Sequence, residues 1–300
     1  MGFRHPIIKD LIWLIQNPGL LKTDNNVIPD QAWFDQQLQI IYPLLKKLDN
    51  DPTQLEPYEN DIKPIVGAYF ETLVALWLKL NPDIQHIKQH QIVFEDKRTI
   101  GEFDFLFEDK TLQKSFHWEV AVKYYLQTYI NEKCEFLGPN AKDSLAKKTS
   151  KMLSKQLLLS QNPNATDILK EFPKPIHPIG ILKGMLFYPS SSDWRNPKSL
   201  PPEISTNHLK GWWCHSNSLL IPENDQKSRW YLLQKPFWLA INTERLDNPY
   251  KINDLKNLIK NHFDQSNQAL LLAEVMQNNT GEWFEVSRGF IVSEHWPRAK

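Results

Sequence analysis

Residues 100–123 read IGEFDFLFEDKTLQKSFHWEVAVK, and this stretch decides the fold because polar and apolar residues alternate along it twice. Side chains on a strand point alternately to its two faces. The alternation therefore predicts strands over residues 100–108 and 115–125, and the charged segment between them predicts the turn of an antiparallel hairpin. The hairpin brings three charged side chains to one face of the sheet: Asp104, Glu119 and Lys123.

This convergence of two carboxylates and an amine is costly unless something compensates the charges. A divalent metal ion would neutralise Asp104 and Glu119, since Mg²⁺ binds one or two carboxylates and otherwise keeps waters or phosphate oxygens. Lys123 would then position a water molecule or stabilise negative charge that develops on a phosphate. The hairpin alone thus favours a metal-assisted hydrolytic site.

The helix before the hairpin adds a third carboxylate. Apolar residues at helical spacing predict a helix over residues 64–80, which ends where Asn81 precedes a proline. Glu71 lies on the apolar stripe of this helix, where a carboxylate is seldom buried without a partner. Two interpretations remain open for Glu71, a salt bridge on a partly exposed face or a group directed at the same metal site.

The helix after the hairpin adds cationic and amide groups. A helix is expected over residues 141–160, with Gln156 in its inward apolar stripe and Lys148 at the edge of that stripe. A row of lysines follows another face of this helix: Lys147, Lys151 and Lys155. Such a row is commonly a solvated face, and it also suits the binding of phosphate groups.

Three histidines lie close to these segments. His86 and His90 are four residues apart, a spacing that suits a pair of metal ligands only on a helix, whereas both residues lead into a strand. His117 shares the face of Glu119 and is expected either to line the cleft or to lie on the surface. The sequence therefore does not favour these histidines as metal ligands.

Together, the helix with Glu71, the segment Gly-Glu-Phe-Asp at 101–104, the segment Trp-Glu-Val-Ala-Val-Lys at 118–123 and the helix with Gln156 resemble the PD-(D/E)XK nuclease superfamily. The resemblance covers residues 64–188. It implies an α/β fold with a restriction-endonuclease-like α-β-β-β-α-β core and a mixed sheet. The whole chain also resembles an uncharacterised bacterial family with similar Trp-Glu-Val-Ala-Val-Lys and Gly-Pro-Asn segments.

The resemblance implies a division of the chain into three parts. Residues 1–60 form an N-terminal helical extension, with helices expected over 7–22 and 31–48. Residues 61–190 form the nuclease-like core. Residues 191–300 form a C-terminal α/β extension that possesses its own fold or continues the core sheet. Its expected elements are strands at 211–215, 230–241, 270–276 and 282–292 and a helix at 251–264.

The activity that the resemblance implies is metal-dependent hydrolysis of phosphodiester bonds in nucleic acid, either DNA or RNA. Asp104 and Glu119 would hold Mg²⁺ or Mn²⁺, with Glu71 in support, and Lys123 would position the attacking water. Substrate binding would fall to residues of the following helix: Lys148, Lys151, Lys155 and Gln156.

One departure from the superfamily pattern keeps an alternative open. The third-strand motif of the superfamily is an acidic residue two positions before the lysine, whereas Glu119 and Lys123 are four positions apart and Ala121 lies between them. The alternative is a catalytically inactive protein with the nuclease fold that binds nucleic acid or a protein partner.

The amino-acid composition and the motif content narrow the classes of function that the sequence allows. Lysine plus arginine and aspartate plus glutamate both number 35, which excludes DNA binding by bulk charge but not by one basic face. We find no P-loop or dinucleotide fingerprint, no apolar segment long enough to span a bilayer, and no signal peptide. We therefore expect a cytoplasmic protein without membrane contact. A protein partner or a homo-oligomer is compatible with the sequence.

Overall fold

The computed structural model describes residues 2–24, 27–221, 227–242, 245 and 248–298. The helices are α1 (Pro6–Gln16), α2 (Gln31–Asn50), α3 (Glu56–Asn60), α4 (Val66–Leu80), α5 (Leu145–Lys151), α6 (Thr166–Leu169) and α7 (Ile252–Phe263). The strands are β1 (Ile84–Glu95), β2 (Arg98–Asp109), β3 (Lys114–Ile130), β4 (Lys133–Leu137), β5 (Ile176–Pro189), β6 (Leu209–His215), β7 (Arg229–Leu233), β8 (Leu270–Gln277) and β9 (Trp283–Val292).

The strands of the described part form one mixed sheet in the order β1-β2-β3-β5-β6-β9-β8-β7, and β4 pairs with the far end of β3. β1, β2 and β3 are an antiparallel meander. The chain then crosses through α5 and returns as β5, parallel to β3. The predicted α/β class with a mixed sheet is confirmed, and the C-terminal strands continue this sheet because β6 pairs with β5.

Several element boundaries differ from the sequence-based expectation. α1 ends at Gln16, at the Asn17-Pro18-Gly19 segment where the sequence predicts the helix to stop, because Asn17 precedes a proline and takes an extended conformation. The helix expected over 141–160 is α5 followed by a wide π turn at Met152–Gln156. β1 begins at Ile84 instead of residue 91, and the strand expected over 230–241 ends at Leu233.

Apolar side chains cover both faces of the sheet. On one face, α1, α2 and α4 bury residues such as Leu11, Ile41 and Trp77 against β2, β3 and β5. On the other face, α5 and α7 bury Leu145 and Ile259 against β5, β6 and β9. The sheet is therefore the middle of three layers, which leaves polar groups on β2 and β3 enclosed by helices. No helix within the described residues combines the length and apolarity needed to cross a bilayer.

A buried polar network joins the N-terminal helices to the C-terminal part. Asp10 of α1 is 1% exposed and accepts hydrogen bonds from Tyr69 Oη (2.6 Å) and Arg245 Nη1 (2.9 Å). The Ala240 amide donates to its other oxygen at 2.9 Å. Burial raises the pKa of Asp10, while these donors oppose the shift. Because these hydrogen bonds satisfy the buried carboxylate of Asp10, the network fixes α1 and α4 against the segment after β7.

Gly184 allows β3 and β5 to approach each other. It has a φ of +135° and lies opposite Lys123 in the parallel ladder. A Cβ atom at this position would lie 1.7 Å from the Lys123 carbonyl oxygen, so the glycine is required by backbone contact. Gly281 also has a positive φ, +82°, but nothing lies within 4 Å of a Cβ there.

We expect Gly184→Ala to destabilise the protein by more than about 4 kcal/mol, because the methyl group would force the central ladder apart. The matched variant Gly281→Ala meets only the conformational penalty of a positive φ, about 1–2 kcal/mol. Urea unfolding followed by tryptophan fluorescence measures both losses. Equal losses in the two variants would contradict the packing of β3 on β5.

Candidate active site

The candidate site lies where β2 and β3 separate. Their backbone pairing runs from Asp109 and Lys114 to Phe105 and Trp118 and ends there. At the next position, Oδ2 of Asp104 accepts a hydrogen bond from the Val120 amide at 2.8 Å. The side chain thus replaces the backbone carbonyl that would continue the ladder, and the carboxylate is held between the strands.

The same separation changes the direction of Phe103. Strict alternation predicted that Phe103 shares a face with Phe105 and Phe107, and this expectation is wrong. Phe105 and Phe107 lie in the main core, whereas Phe103 lies in a separate cluster with Leu159. Its ring packs edge-on against His117, with the ring centres 4.6 Å apart. The alternation fails because the regular pairing of β2 with β3 ends at this point.

Glu119 is fully buried beside Asp104. Its Oε2 accepts a hydrogen bond from Gln156 Nε2, and its Oε1 lies 2.8 Å from His117 Nε2. Burial raises the pKa of Glu119 to about 7, although the positive charge of Lys148 opposes the shift. The carboxyl group therefore exchanges its proton near neutral pH, a property common among groups with catalytic roles.

His117 is also fully buried, which neither of the two expectations for it anticipated. Burial lowers the pKa of His117 to about 3, although the charge of Asp104 opposes the shift, so the ring is neutral. A neutral ring that carries its proton on Nε2 donates to Glu119, and this tautomer follows from the hydrogen-bond network. Nδ1 has no hydrogen-bond partner among the described residues.

The carboxylates raise one another's pKa. Burial, followed by the charge of Glu119, raises the pKa of Asp104 to about 6. The pKa of Glu71 is raised first by burial and then by the charge of Asp104, and the side chain is 33% exposed. Burial is the first cause of both shifts and repulsion between the acids adds to it, so a bound cation would stabilise the ionised forms of these side chains.

The wide turn after α5 brings Lys148 and Gln156 together. Residues eight apart in a regular α-helix differ by about 80° around the axis. The π turn at Met152–Gln156 reduces this difference, so that Lys148 Nζ lies 3.1 Å from Gln156 Oε1. Burial lowers the pKa of Lys148, while Asp104 and Glu119 oppose the shift. The ammonium group is thus the cation nearest to the buried acids in the hydrogen-bond network.

Asp104, Glu71 and Gln156 line a cavity of 590 Å³, here called the acidic cleft. Glu119 and Lys148 do not line it, and each is hydrogen-bonded to the Gln156 side chain. The cleft combines carboxylates on one side with lysines on the other. Its polar lining residues are Glu71, His90, Thr99, Glu102, Asp104, Lys151, Lys155 and Gln156.

Most of the residues predicted for the site therefore lie together, and their roles in catalysis stay predictions. Lys123 is the exception. Its Nζ lies 2.7 Å from Asp143 Oδ2, and the same oxygen accepts a hydrogen bond from Tyr125 at 3.0 Å. The structure shows no hydrogen bond from Lys123 to Asp104 or Glu119, and Lys148 occupies the place beside these acids.

In the sequence, His90 is a candidate only as a metal ligand paired with His86, a role that the sequence does not favour, whereas the structure places it at the acidic cleft. Its Nδ1 lies 2.9 Å from Glu102 Oε1, and its Nε2 lies 3.9 Å from Glu71 Oε2. The ring thus stands between two carboxylates on the wall of the acidic cleft. His90 has a φ of +53° within β1, an irregularity that no periodic pattern in the sequence reveals.

The donor types at the cleft suit a hard divalent cation, because Asp104 and Glu71 both line it and carry carboxylate oxygens. Glu119 fits less well, since both of its oxygens have hydrogen-bond partners. Within the described ranges, no group of three or more His, Cys, Asp or Glu side chains is placed to hold one ion. A cation here would therefore draw on water or phosphate oxygens for its remaining ligands.

The fold and the site define a mixed α/β protein whose buried acidic cluster faces a lysine-bearing helix. Comparison with protein-family models identifies the family of this chain. The model of the domain of unknown function DUF1853 matches residues 9–292, and the chain belongs to this family. Searches of the curated proteins and of the solved structures gave no match.

The raised pKa values predict how stability depends on pH. An acid with a higher pKa in the folded than in the unfolded protein binds its proton better when folded. The folded protein therefore loses stability as the pH rises from about 4 towards 7. We expect Asp104→Asn/Glu119→Gln to gain roughly 2–4 kcal/mol over the wild type between pH 5 and pH 8, at about 1.4 kcal/mol per pKa unit. Urea unfolding at each pH measures this difference.

The variant is compared with the wild type at each pH because both contain His117. Its lowered pKa makes stability rise with pH in part of the range from pH 5 to pH 8, opposite to the effect of the two acids. Asp167→Asn is the matched control, since that carboxylate is 93% exposed. A stability difference between variant and wild type that stays constant from pH 5 to pH 8 would show that folding does not raise the pKa values of the two buried acids.

Proposed function

We propose that this protein is a metal-dependent nuclease that hydrolyses phosphodiester bonds in nucleic acid, with a restriction-endonuclease-like core. The observation that carries the proposal is the placement of Asp104 at the separation of β2 and β3, between Glu119 behind it and Glu71 across the cleft. The chain order α4, β1, β2, β3, β4, α5, α6, β5 supports it, because without the short β4 and α6 it is the helix and strand order of the superfamily that the sequence resembles.

Asp104 and Glu71 are the carboxylates that would hold Mg²⁺ or Mn²⁺ from the cleft. Glu119, predicted from the sequence as a metal ligand, would support Asp104 from behind while it remains bonded to Gln156 and His117. A bound ion supplies charge neutralisation at the phosphate and lowers the pKa of a water molecule. The remaining chemistry falls to side chains of this protein.

Lys148 takes the role that the sequence assigned to Lys123. Its ammonium group is part of the network of Gln156 and Glu119, so it can stabilise negative charge on a phosphate oxygen at this place. Gln156 orients the Glu119 carboxyl group, whose pKa of about 7 lets it accept or release a proton at neutral pH. Lys151 and Lys155 line the cleft and bind the phosphates of the substrate backbone.

A second candidate function has a specific observation in its favour. Both oxygens of Glu119 have hydrogen-bond partners, and Lys123 is bonded to Asp143, so the two residues of the expected third-strand motif are engaged elsewhere. A protein that binds nucleic acid without cleaving it would retain the lysines and have no need of the acids. Cleavage assays and binding assays separate the two functions.

We expect the wild type to cleave a mixed panel of DNA and RNA substrates in Mg²⁺ or Mn²⁺. Asp104→Asn and Lys148→Met are each expected to slow cleavage by about 10²-fold or more, the usual size of such losses. Lys123→Met is expected to retain activity, because its ammonium group is bonded to Asp143. Rates come from gel-resolved products under single-turnover conditions.

Lys147→Met is the matched control for Lys148→Met, since Lys147 is an exposed lysine on the same helix. Calorimetry with Mn²⁺ gives a readout besides activity, and we expect binding that Asp104→Asn weakens. A wild type that neither binds the ion nor cleaves any substrate, yet binds nucleic acid in a salt-dependent manner, contradicts the enzyme and supports the second candidate.

A further inference from the structure

A second cavity of 640 Å³ adjoins the acidic cleft and runs along α4, and it is here called the α4 groove. The two cavities share Glu71 and His90 in their walls, so they meet at these residues. The α4 groove is bounded by α4 on one side and by β1 on the other, where Ile87 and Gln89 contribute. Nothing in the proposed chemistry uses this space.

The charges along the α4 groove are arranged symmetrically about Glu71. Lys63 precedes α4 by three residues, Lys79 lies in its last turn, and Glu71 is eight residues from each. α4 is 15 residues long, which corresponds to about 22 Å. The groove therefore has a lysine near each end, carries Asp61 in its wall as well, and meets the acidic cleft at Glu71 near its middle.

These cations are available for a ligand. Lys63 and Lys79 are exposed, and neither forms an ion pair with a carboxylate of the described residues. Lys79 stands over the ring of Tyr58, 5.8 Å from its centre, on the same cavity wall. The exposed ammonium group of Lys79 is placed to attract a phosphate of a nucleic-acid strand.

We propose that the α4 groove binds a polynucleotide strand that continues in both directions from the reacting phosphate, so that the protein acts on internal phosphodiester bonds. This inference rests on the proposed function and names the substrate geometry of the same site. A compact ligand would need one cluster of cations, whereas two lysines separated by the length of a helix fit an extended polyanion. The strand would pass Glu71 and His90 with one internal phosphate at the acidic cleft.

Binding in EDTA tests the groove without cleavage. We expect Lys63→Ala/Lys79→Ala to weaken binding of a 24-nucleotide single strand by about tenfold or more and to lower its salt slope by about 1.4, since each phosphate contact with a single strand accounts for about 0.7. Binding of a 4-nucleotide strand should change less than twofold. Fluorescence anisotropy at several salt concentrations measures both values.

Two further variants make the binding test specific. Lys46→Ala/Lys47→Ala removes two exposed lysines of α2 that lie outside the groove, and we expect no change in affinity. Asp61→Asn removes a carboxylate from the groove wall, and we expect tighter binding of the 24-nucleotide strand. Equal effects of the two lysine pairs, or the same affinity for both strand lengths, would overturn the proposal.

A circular single-stranded DNA tests the internal position, because it has no ends. We expect the wild type to cut the circle in Mn²⁺, and Lys63→Ala/Lys79→Ala to cut it at least tenfold more slowly. A protein that degrades linear strands but leaves the circle intact contradicts the inference and leaves the proposed nuclease function standing. A protein that neither binds nor cuts any strand contradicts both.

Discussion

The hydrogen bond from the Val120 amide to the Asp104 carboxylate is the interaction on which the candidate site depends. It forms at the position where the backbone ladder of β2 and β3 ends, so a side chain completes the sheet in place of a carbonyl. Because the carboxylate satisfies a buried amide, it is held in one orientation with its second oxygen free for other partners. The neighbouring acids and the lysine are arranged around this fixed group.

The electrostatics of the cluster favour a functional role over a structural one. Burial raises the pKa of Glu119 and Asp104 and lowers that of Lys148, so each charged form is less stable in the protein than in water. An apolar replacement of such a cluster is commonly neutral or stabilising. Residues that reduce stability in this manner are typical of sites that bind a cation or a charged substrate.

The sequence predicted the strand-borne acids and the helix-borne amide because their positions follow from periodicity. Asp104, Glu119 and Gln156 lie on faces that alternation and helical spacing define. Lys123 shares the face of Glu119, but four residues along a strand correspond to about 13 Å, so a shared face does not bring the two groups together. The separation of β2 from β3, the π turn before Gln156 and the positive φ of His90 arise from tertiary packing, which no local pattern encodes.

The C-terminal third explains why the site lies near one edge of the sheet. β6, β9, β8 and β7 extend the sheet beyond β5, so β3 and β5 are interior strands and β1, the first strand of the meander, is an edge strand. The bonds of Asp10 with Tyr69 and Arg245 fix α1 and α4 against this extension. The C-terminal strands thus bury the far side of the core, while α4 and β1 keep an open groove between them. The extension and the site therefore belong to one sheet, and the acidic cleft lies near the β1 edge, at the opposite end from β7.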